Sequence, residues 1–179
     1  MNLQKGQKIS LDKEAGTGLT KVIMGLGWDV AKKKGFMGFG GGSVDIDLDT
    51  SCLMFDEQGQ MMDLVWFRQL QSKDGSIKHS GDNRTGAGEG DDEQIVVDLT
   101  RIPANVKSLV FTVNSFTGQN FSQVENAYCR IVNAVIIKKW RVITCRVKAI
   151  TQRKLWPKSI NTMASGKCTH WVKMAWPYF

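Results

Sequence analysis

The chain has 179 residues, of which 42% are hydrophobic, and this size and composition predict one globular domain with its own core. No stretch of eighteen apolar residues occurs and no apolar run follows the first basic residues, so neither a membrane span nor an export signal is predicted. The four cysteines lack C-x-x-C spacing and only two histidines could assist a zinc site. We therefore expect reduced thiols in a cytoplasmic protein rather than structural zinc.

The first predicted strand covers residues 19–24, with the glycines of residues 25–27 loosening its end and Trp28 and Asp29 closing it. In the next segment, residues 32–43, lysines precede glycines, which is the reverse of their order in a phosphate-binding loop. We predict a mobile hairpin loop here. Its phenylalanines and lysines could alternatively contact an anionic partner or a membrane surface.

Three aspartates then alternate with apolar residues. On a strand, Asp45, Asp47 and Asp49 share one face at a spacing of about 7 Å, while Ile46 and Leu48 share the other. Like charges at this spacing repel each other unless a cation lies among them, and Asp is depleted in strands. The pattern therefore indicates a cation site, with a solvated strand face as the alternative.

The segments that follow predict more strands, and helical periodicity is weak throughout. Four of them are rich in β-branched residues or alternate in polarity, namely residues 61–70, 77–80, 94–99 and 107–113. Asp74-Gly75 and the turn around Pro103 separate them. Short strands with frequent turns are typical of an all-β fold, so we predict a two-sheet β-sandwich.

The most informative stretch is the block of residues 81–93, GDNRTGAGEGDDE, which combines six oxygen-bearing acidic or amide side chains with four glycines. Glycine permits left-handed turns that direct successive oxygens inward, and Ca²⁺ takes six to eight oxygen ligands. A solvated acidic loop is the alternative reading of the block alone. Because an EF-hand takes its ligands from one loop, this chain must instead bring two acidic segments together.

Five motifs carry a family resemblance: G-L-G-W-D from residue 25, D-I-D-L-D-T-S from residue 45, the block of residues 81–93, F-T-V-N-S-F from residue 111 and N-A-Y-C-R-I-V-N from residue 126. Up to about residue 134 the chain resembles the TerD-type tellurite-resistance family, in its TerZ-like branch. The resemblance implies a bacterial calcium-binding β-sandwich tied to tellurite, phage, colicin and general stress resistance, without known catalytic activity. It also implies other tellurite-resistance proteins as partners, in a complex peripheral to the membrane, and no specific nucleic acid.

The resemblance further suggests that Asp29 faces the acidic block. The ligands predicted for Ca²⁺ are therefore Asp29, Asp45, Asp47, Asp49, Asp82, Asn83, Asp91, Asp92 and Glu93.

The last quarter of the chain differs in composition from the rest. Residues 135–179 hold ten of the 24 basic residues, none of the 17 acidic ones and four of the six tryptophans. Such a tail ordinarily indicates a nucleic-acid arm. However, shifting the reading frame allows the codons of residues 139–145, with the third base of codon 138, to encode E-V-A-R-Y-N-L, and those of residues 161–173 to encode Y-N-G-E-W-K-M-H-A-L-G-E.

Both shifted strings resemble segments that follow R-I-V-N in TerD-type proteins. We infer a frameshift near Val135, in the gene or in its sequencing, so that the tail's charge and tryptophans are products of the wrong frame. We therefore expect a β-sandwich over residues 1–134. We expect the tail to be poorly packed or to extend a sheet only briefly.

Two functions of different classes follow. The first is calcium binding in stress resistance, without catalysis. The second is a phosphate hydrolase that depends on a divalent metal, or a phosphate- or nucleotide-binding module, in which His79 is the candidate for proton transfer. The scarcity of such proton-transfer groups favours the first.

Overall fold

The computed structural model of this chain describes residues 18–29, 31–32, 43–44, 46–86, 90–115, 124–134, 142–146 and 167–175. For residues 31–32, 43–44, 125, 142–146 and 167–175 it describes the backbone.

The described residues form eleven strands and no helix. The strands are β1 (Lys21–Asp29), β2 (Ala31–Lys32), β3 (Ser43–Val44), β4 (Leu48–Phe55), β5 (Met61–Val65), β6 (Ile77–His79), β7 (Glu93–Asp98), β8 (Ser108–Ser115), β9 (Glu125–Asn133), β10 (Val142–Arg146) and β11 (Lys167–Ala175). No helix in this part of the chain is long and apolar enough to cross a membrane.

Two antiparallel sheets make up the fold, which confirms the predicted all-β sandwich. The β1 sheet has the order β10-β9-β1-β7-β6, and the β4 sheet has the order β11-β8-β4-β5. Strands β2 and β3 form a separate pair and flank residues 33–42, so the predicted hairpin has paired arms while its loop lies outside the described residues.

The core lies between these two sheets. In the β1 sheet, alternate residues of β7 are buried, as period-two side-chain alternation predicts for a strand with one face on the core, whereas β1 is buried continuously from Met24 to Trp28. Buried residues of both strands pack against apolar residues of β4 and β8, and the buried cluster includes Val22, Met24, Leu26, Ile95, Val97, Cys52, Met54, Phe111 and Val113. The outward-facing positions of β1 include Gly25 and Gly27, whose neighbours on either side are core residues.

Two strand boundaries differ from those predicted. Strand β4 begins at Leu48, so Asp47 precedes the strand, although its carboxylate still lies near that of Asp49. Strand β5 ends at Val65 because the chain turns, with Trp66 and Gln69 exchanging backbone hydrogen bonds of 3.0 and 2.9 Å. No glycine or proline in residues 61–70 marks this turn in the sequence.

Segments of the tail extend both sheets. Strand β10 pairs with β9 from Val142 to Arg146, and β11 pairs with β8 from Lys167 to Ala175 with an irregularity near Cys168. The pairing of β11 is longer than the brief augmentation expected. Ladder hydrogen bonds join backbone groups, so pairing at a sheet edge requires no particular side chains.

Candidate metal centre

Three segments meet at one end of the sandwich: the approach to β4, the loop that follows β6, and the start of β7. Strands β6 and β7 pair directly, and Ser80 N–H continues their ladder by donating to the Gln94 carbonyl oxygen at 2.9 Å. The Thr50 N–H of β4 donates to Glu93 Oε2 of β7 at 2.8 Å, which connects the two sheets. The chain therefore brings its two acidic segments together, as convergence on one site requires.

Asp47, Asp49 and Asp82 form the centre of this region. One carboxylate oxygen of each lies within 4.8 Å of the other two. Asp49 is only 5% exposed, and Asp47 Oδ1 is buried without a hydrogen-bond partner among the described residues. A buried carboxylate oxygen without a donor is costly unless a cation binds it, so these residues fit a hard metal ion.

Glu93 lies beside this triad and is completely buried. In addition to the bond from Thr50, its Oε1 accepts a 3.3 Å bond from the Asn83 N–H. One carboxylate therefore holds both β4 and the acidic loop.

His79 has a supporting position in the same region. The Gly81 N–H donates to His79 Nδ1 at 3.0 Å, so Nδ1 carries no proton, and Nε2 lies 3.1 Å from the Thr50 carbonyl oxygen, to which it donates. The ring is consequently neutral in this arrangement, although Nε2 also lies 3.6 Å from Glu93 Oε2. Because both ring nitrogens are engaged with the backbone, His79 is poorly placed to transfer protons to a substrate.

Crowding of carboxylates changes their protonation. Burial, followed by the charges of Glu93, Asp47 and Asp82, raises the pKa of Asp49 to about 7. Burial and then the charges of Asp82 and Glu93 also raise the pKa of Asp47. Without a cation, this site therefore resists full ionisation at neutral pH.

The pKa of Asp49 predicts how the stability of the metal-free protein depends on pH. Between its unfolded value near 3.9 and its folded value of about 7, Asp49 binds more proton in the folded state than in the unfolded state. This contribution to stability is complete below about pH 4 and is lost as pH rises to about 7. In excess chelator, we expect the melting temperature to fall across this window, and Asp49→Asn to reduce the fall; an equal slope in both proteins would contradict the assignment.

Trp28 connects all three segments of the site. Its ring is buried, its Nε1–H donates to the Ile46 carbonyl oxygen at 2.8 Å, and its backbone N–H donates to Asp92 Oδ2 at 2.9 Å. Gly86, at φ 59°, lies against the indole, where a Cβ would collide with the ring. The acidic loop can therefore close over Trp28 only with glycine at this position.

Asp29, Asp92 and Asn83 occupy the margin of the site. Asp92 Oδ1 accepts a 3.2 Å bond from Asn83 Nδ2, and Asp29 Oδ2 accepts a 2.6 Å bond from Asn126 Nδ2. Burial raises the pKa of Asp92, the Trp28 N–H opposes this rise, and the charges of Asp29 and Asp91 add to it. The Asn83 side-chain oxygen accepts hydrogen bonds from the backbone N–H groups of Thr85 and Gly86. It therefore stabilises the turn of its own loop rather than pointing freely toward a metal.

Asp91 differs most from its predicted position. Its carboxylate lies on the outer face of the β1 sheet, where it contacts Gly25 and pairs with Arg130, with Nε 2.8 Å from Oδ1. Glu93 lies on the inner face. Residues two apart would share one face of a continuous strand, but the chain bends at Asp92 and β7 begins only at Glu93, so Asp91 is not bound by that alternation. Asp91 is accordingly held apart from the triad, while Asp45 lies outside the described residues.

The sequence did not indicate that Thr50 and Arg130 contact the acidic residues, and it predicted a different role for Trp28. Trp28 was predicted only to close a strand, and Thr50 was not considered, because both act through backbone or ring N–H groups. Arg130 stands in the N-A-Y-C-R-I-V-N motif, and an arginine amid a β-branched strand was the available signal for a buried acidic partner.

The fold and the site define a class of protein: a β-sandwich with a carboxylate cluster at the end where its two sheets are joined. The model of the TerD domain matches residues 1–141, and the chain belongs to this family of tellurium-resistance and stress-response proteins.

Relatives support this assignment. The chain is 53% identical over 134 residues to the tellurium resistance protein TerZ of Serratia marcescens, with 74% of this chain and 69% of TerZ covered. It is 44% identical over 140 residues to general stress protein 16U of Bacillus subtilis, with 74% and 68% covered. The crystal structure of a homologue of the telluride resistance protein TerD from Streptomyces coelicolor has the same fold, with a TM-score of 0.58, 18% identity and 88% of each chain covered.

Proposed function

We propose that this chain is a cytoplasmic calcium-binding protein of tellurium resistance and the general stress response, which acts by binding rather than by catalysis. The observation that carries the proposal is the convergence of Asp47, Asp49 and Asp82, together with the buried Asp47 oxygen that lacks a donor. Glu93 adds negative charge and holds the surrounding backbone. Calcium ions are the proposed ligand, and association with other tellurite-resistance proteins in a membrane-peripheral complex stays a prediction.

The donor set favours a hard cation. Converging carboxylate oxygens suit Ca²⁺ or Mg²⁺, whereas softer metals prefer imidazole nitrogen or thiolate sulfur. The His79 nitrogens are engaged with the backbone, and burial raises the pKa of the Cys52 thiol, which disfavours its thiolate. Ca²⁺ tolerates irregular geometry better than Mg²⁺, and the acidic loop contains Gly81, Gly86 and Gly90 at positive φ.

The alternative hydrolase function is not favoured. A phosphate hydrolase needs a group that can transfer protons near the metal, and the environment of His79 makes it a structural residue. A phosphate or nucleotide would also meet the negative charges of Asp47, Asp49 and Glu93 unless a cation were bound first.

Calorimetric titration of calcium into the chelator-treated full-length chain tests the proposal. The wild type is expected to bind Ca²⁺, and at a concentration 100 times the Kd the linkage is worth about 2.7 kcal/mol, or about 5 to 10 °C in melting temperature. Asp82→Asn, which removes one charge from the triad while keeping the side-chain shape, is expected to weaken binding about tenfold or more.

Glu57→Gln provides the matched control, since it makes the same charge change on an exposed turn. Its calcium affinity is expected to equal that of the wild type. No heat of binding and no thermal shift in the wild type would refute the calcium site. Release of phosphate from model esters that disappears in the Asp82→Asn variant would instead favour the hydrolase.

A further inference from the structure

We propose that Arg130 and Tyr128 are positioning residues of the carboxylate cluster: from the outer face of the β1 sheet they hold Gly90 and Asp91 and thereby set the register at which β7 delivers Glu93 to the inner face. This inference rests on the proposed calcium function for its consequence, but not for its geometry. The four residues form what we call the outer latch.

The latch is built around an ion pair in which Asp91 is buried and Arg130 is partly exposed. Asp91 is 2% exposed in its side chain, and Arg130 approaches it with Nε 2.8 Å from Oδ1 and Nη2 3.0 Å from Oδ2. Gln94 Nε2 adds a 3.2 Å bond to Oδ2. Arg130 therefore donates one hydrogen bond, from Nη2 to Oδ2, while its Nε lies within ion-pair distance of Oδ1 without hydrogen-bond geometry, so both carboxylate oxygens are attracted to the same guanidinium.

Tyr128 holds the residue before Asp91. Its hydroxyl donates to the Gly90 carbonyl oxygen at 2.6 Å and lies 3.3 Å from Asp91 Oδ1. Since a phenol has one proton, the shorter contact to Gly90 is the donated bond. Tyr128 thus fixes the backbone where the acidic loop enters β7.

Two glycines of β1 make room for the latch. A Cβ at Gly25 would collide with the Asp91 carboxylate, and a Cβ at Gly27 would collide with the Tyr128 ring. Gly25 pairs with both Gln94 and Arg130, and Gly27 pairs with Tyr128, so all these side chains share the outer face of three adjacent strands.

The consequence for the inner face follows from register. A slip of one residue in β7 exchanges the faces of its side chains and withdraws Glu93 from Thr50 and Asn83. The inner contacts alone involve a buried carboxylate crowded by Asp47 and Asp49, which favours its withdrawal. The outer latch opposes that slip from the other face of the sheet, where the Asp91 charge is paired with Arg130.

Hydrogen exchange of the metal-free full-length protein tests the latch without calcium. The reporter is the Asp92 N–H, which donates to the Leu26 carbonyl oxygen at 2.8 Å. Tyr128→Phe, which removes only the hydroxyl, and Arg130→Gln are each expected to accelerate its exchange about tenfold or more. The amides in the middle of the β1–β7 ladder, near Ile23 and Val96, should be unchanged.

Arg101→Gln is the matched control, because it makes the same charge change in an exposed turn at the other end of β7. In parallel, calcium affinity is expected to fall about tenfold in both latch variants and to stay at the wild-type value in Arg101→Gln. Uniform acceleration of all amides, or none, would overturn the latch. Local acceleration with unchanged calcium affinity would show that the latch does not position the cluster, and would overturn the proposal too. A wild type that binds no calcium refutes the proposed function, while the exchange result still decides the latch.

Discussion

Asp49→Asn is expected to stabilise the metal-free protein while weakening its binding of calcium. Asp49 is buried, and the charges of Glu93, Asp47 and Asp82 help to raise its pKa to about 7. At pH 8 the aspartate is largely ionised, so replacing it by a neutral amide of the same shape removes that repulsion. The new amide can also donate to a neighbouring carboxylate.

The two effects have opposite signs and are measured in one experiment. Thermal unfolding in chelator at pH 8 should show a higher melting temperature, by about 2 to 4 °C for each kcal/mol gained. Calorimetry should show a calcium Kd raised about 10- to 100-fold, which corresponds to about 1.4 to 2.8 kcal/mol of binding free energy. Glu57→Gln, on an exposed turn, should change neither quantity.

A variant that is less stable without metal and binds calcium normally would show that Asp49 is an ordinary structural residue. The expected result would instead show that Asp49 lowers the stability of the metal-free protein and strengthens its binding of calcium. Charged residues at functional sites often have such opposing effects.

Restoring the alternative reading frame after residue 134 is expected to have the largest effect on stability. One base added near codon 135 makes the codons of residues 139–145, with the third base of codon 138, compatible with E-V-A-R-Y-N-L and those of residues 161–173 with Y-N-G-E-W-K. Strands β10 and β11 lie within or overlap these two windows, at the edges of the two sheets. The match to TerZ covers 134 residues, or 74% of the chain, and the match to the TerD domain ends at residue 141.

The physical reason is side-chain packing. Each large core side chain that is lost costs about 2 to 5 kcal/mol, against a total stability of about 5 to 15 kcal/mol. We expect the chain in its present frame to be insoluble or marginally folded, and the frame-restored chain to be soluble and to unfold in one transition.

Sequencing the gene decides the cause, and denaturant unfolding of the two chains decides the consequence. The hypothesis would be falsified if the gene encodes residues 135–179 as printed and this chain unfolds cooperatively with stability equal to that of the frame-restored chain. In that case β10 and β11 would be authentic strands of this protein.

Much of the acidic cluster was predictable because its evidence is local. The converging acids Asp47, Asp49 and Asp82 stand in two dense clusters, and Asp is rare enough in strands that a cation is a natural explanation. Neither cluster alone indicates that the two clusters meet at one end of the sandwich. The separation of Asp91 from Glu93 was likewise invisible, because both are acids in one glycine-rich run.

By itself, the sequence determined the fold class, the family and the acidic character of the site. Alternating polarity and regular turns act over a few residues, so they predict an all-β sandwich without knowledge of which strands pair. Only the tertiary structure decided that Asp91 faces Arg130, that His79 is held neutral by Gly81 and Thr50, and that β4 begins after Asp47. The physical reason is that register and strand partners are set by contacts between residues far apart in the chain, and register determines the face on which each side chain lies.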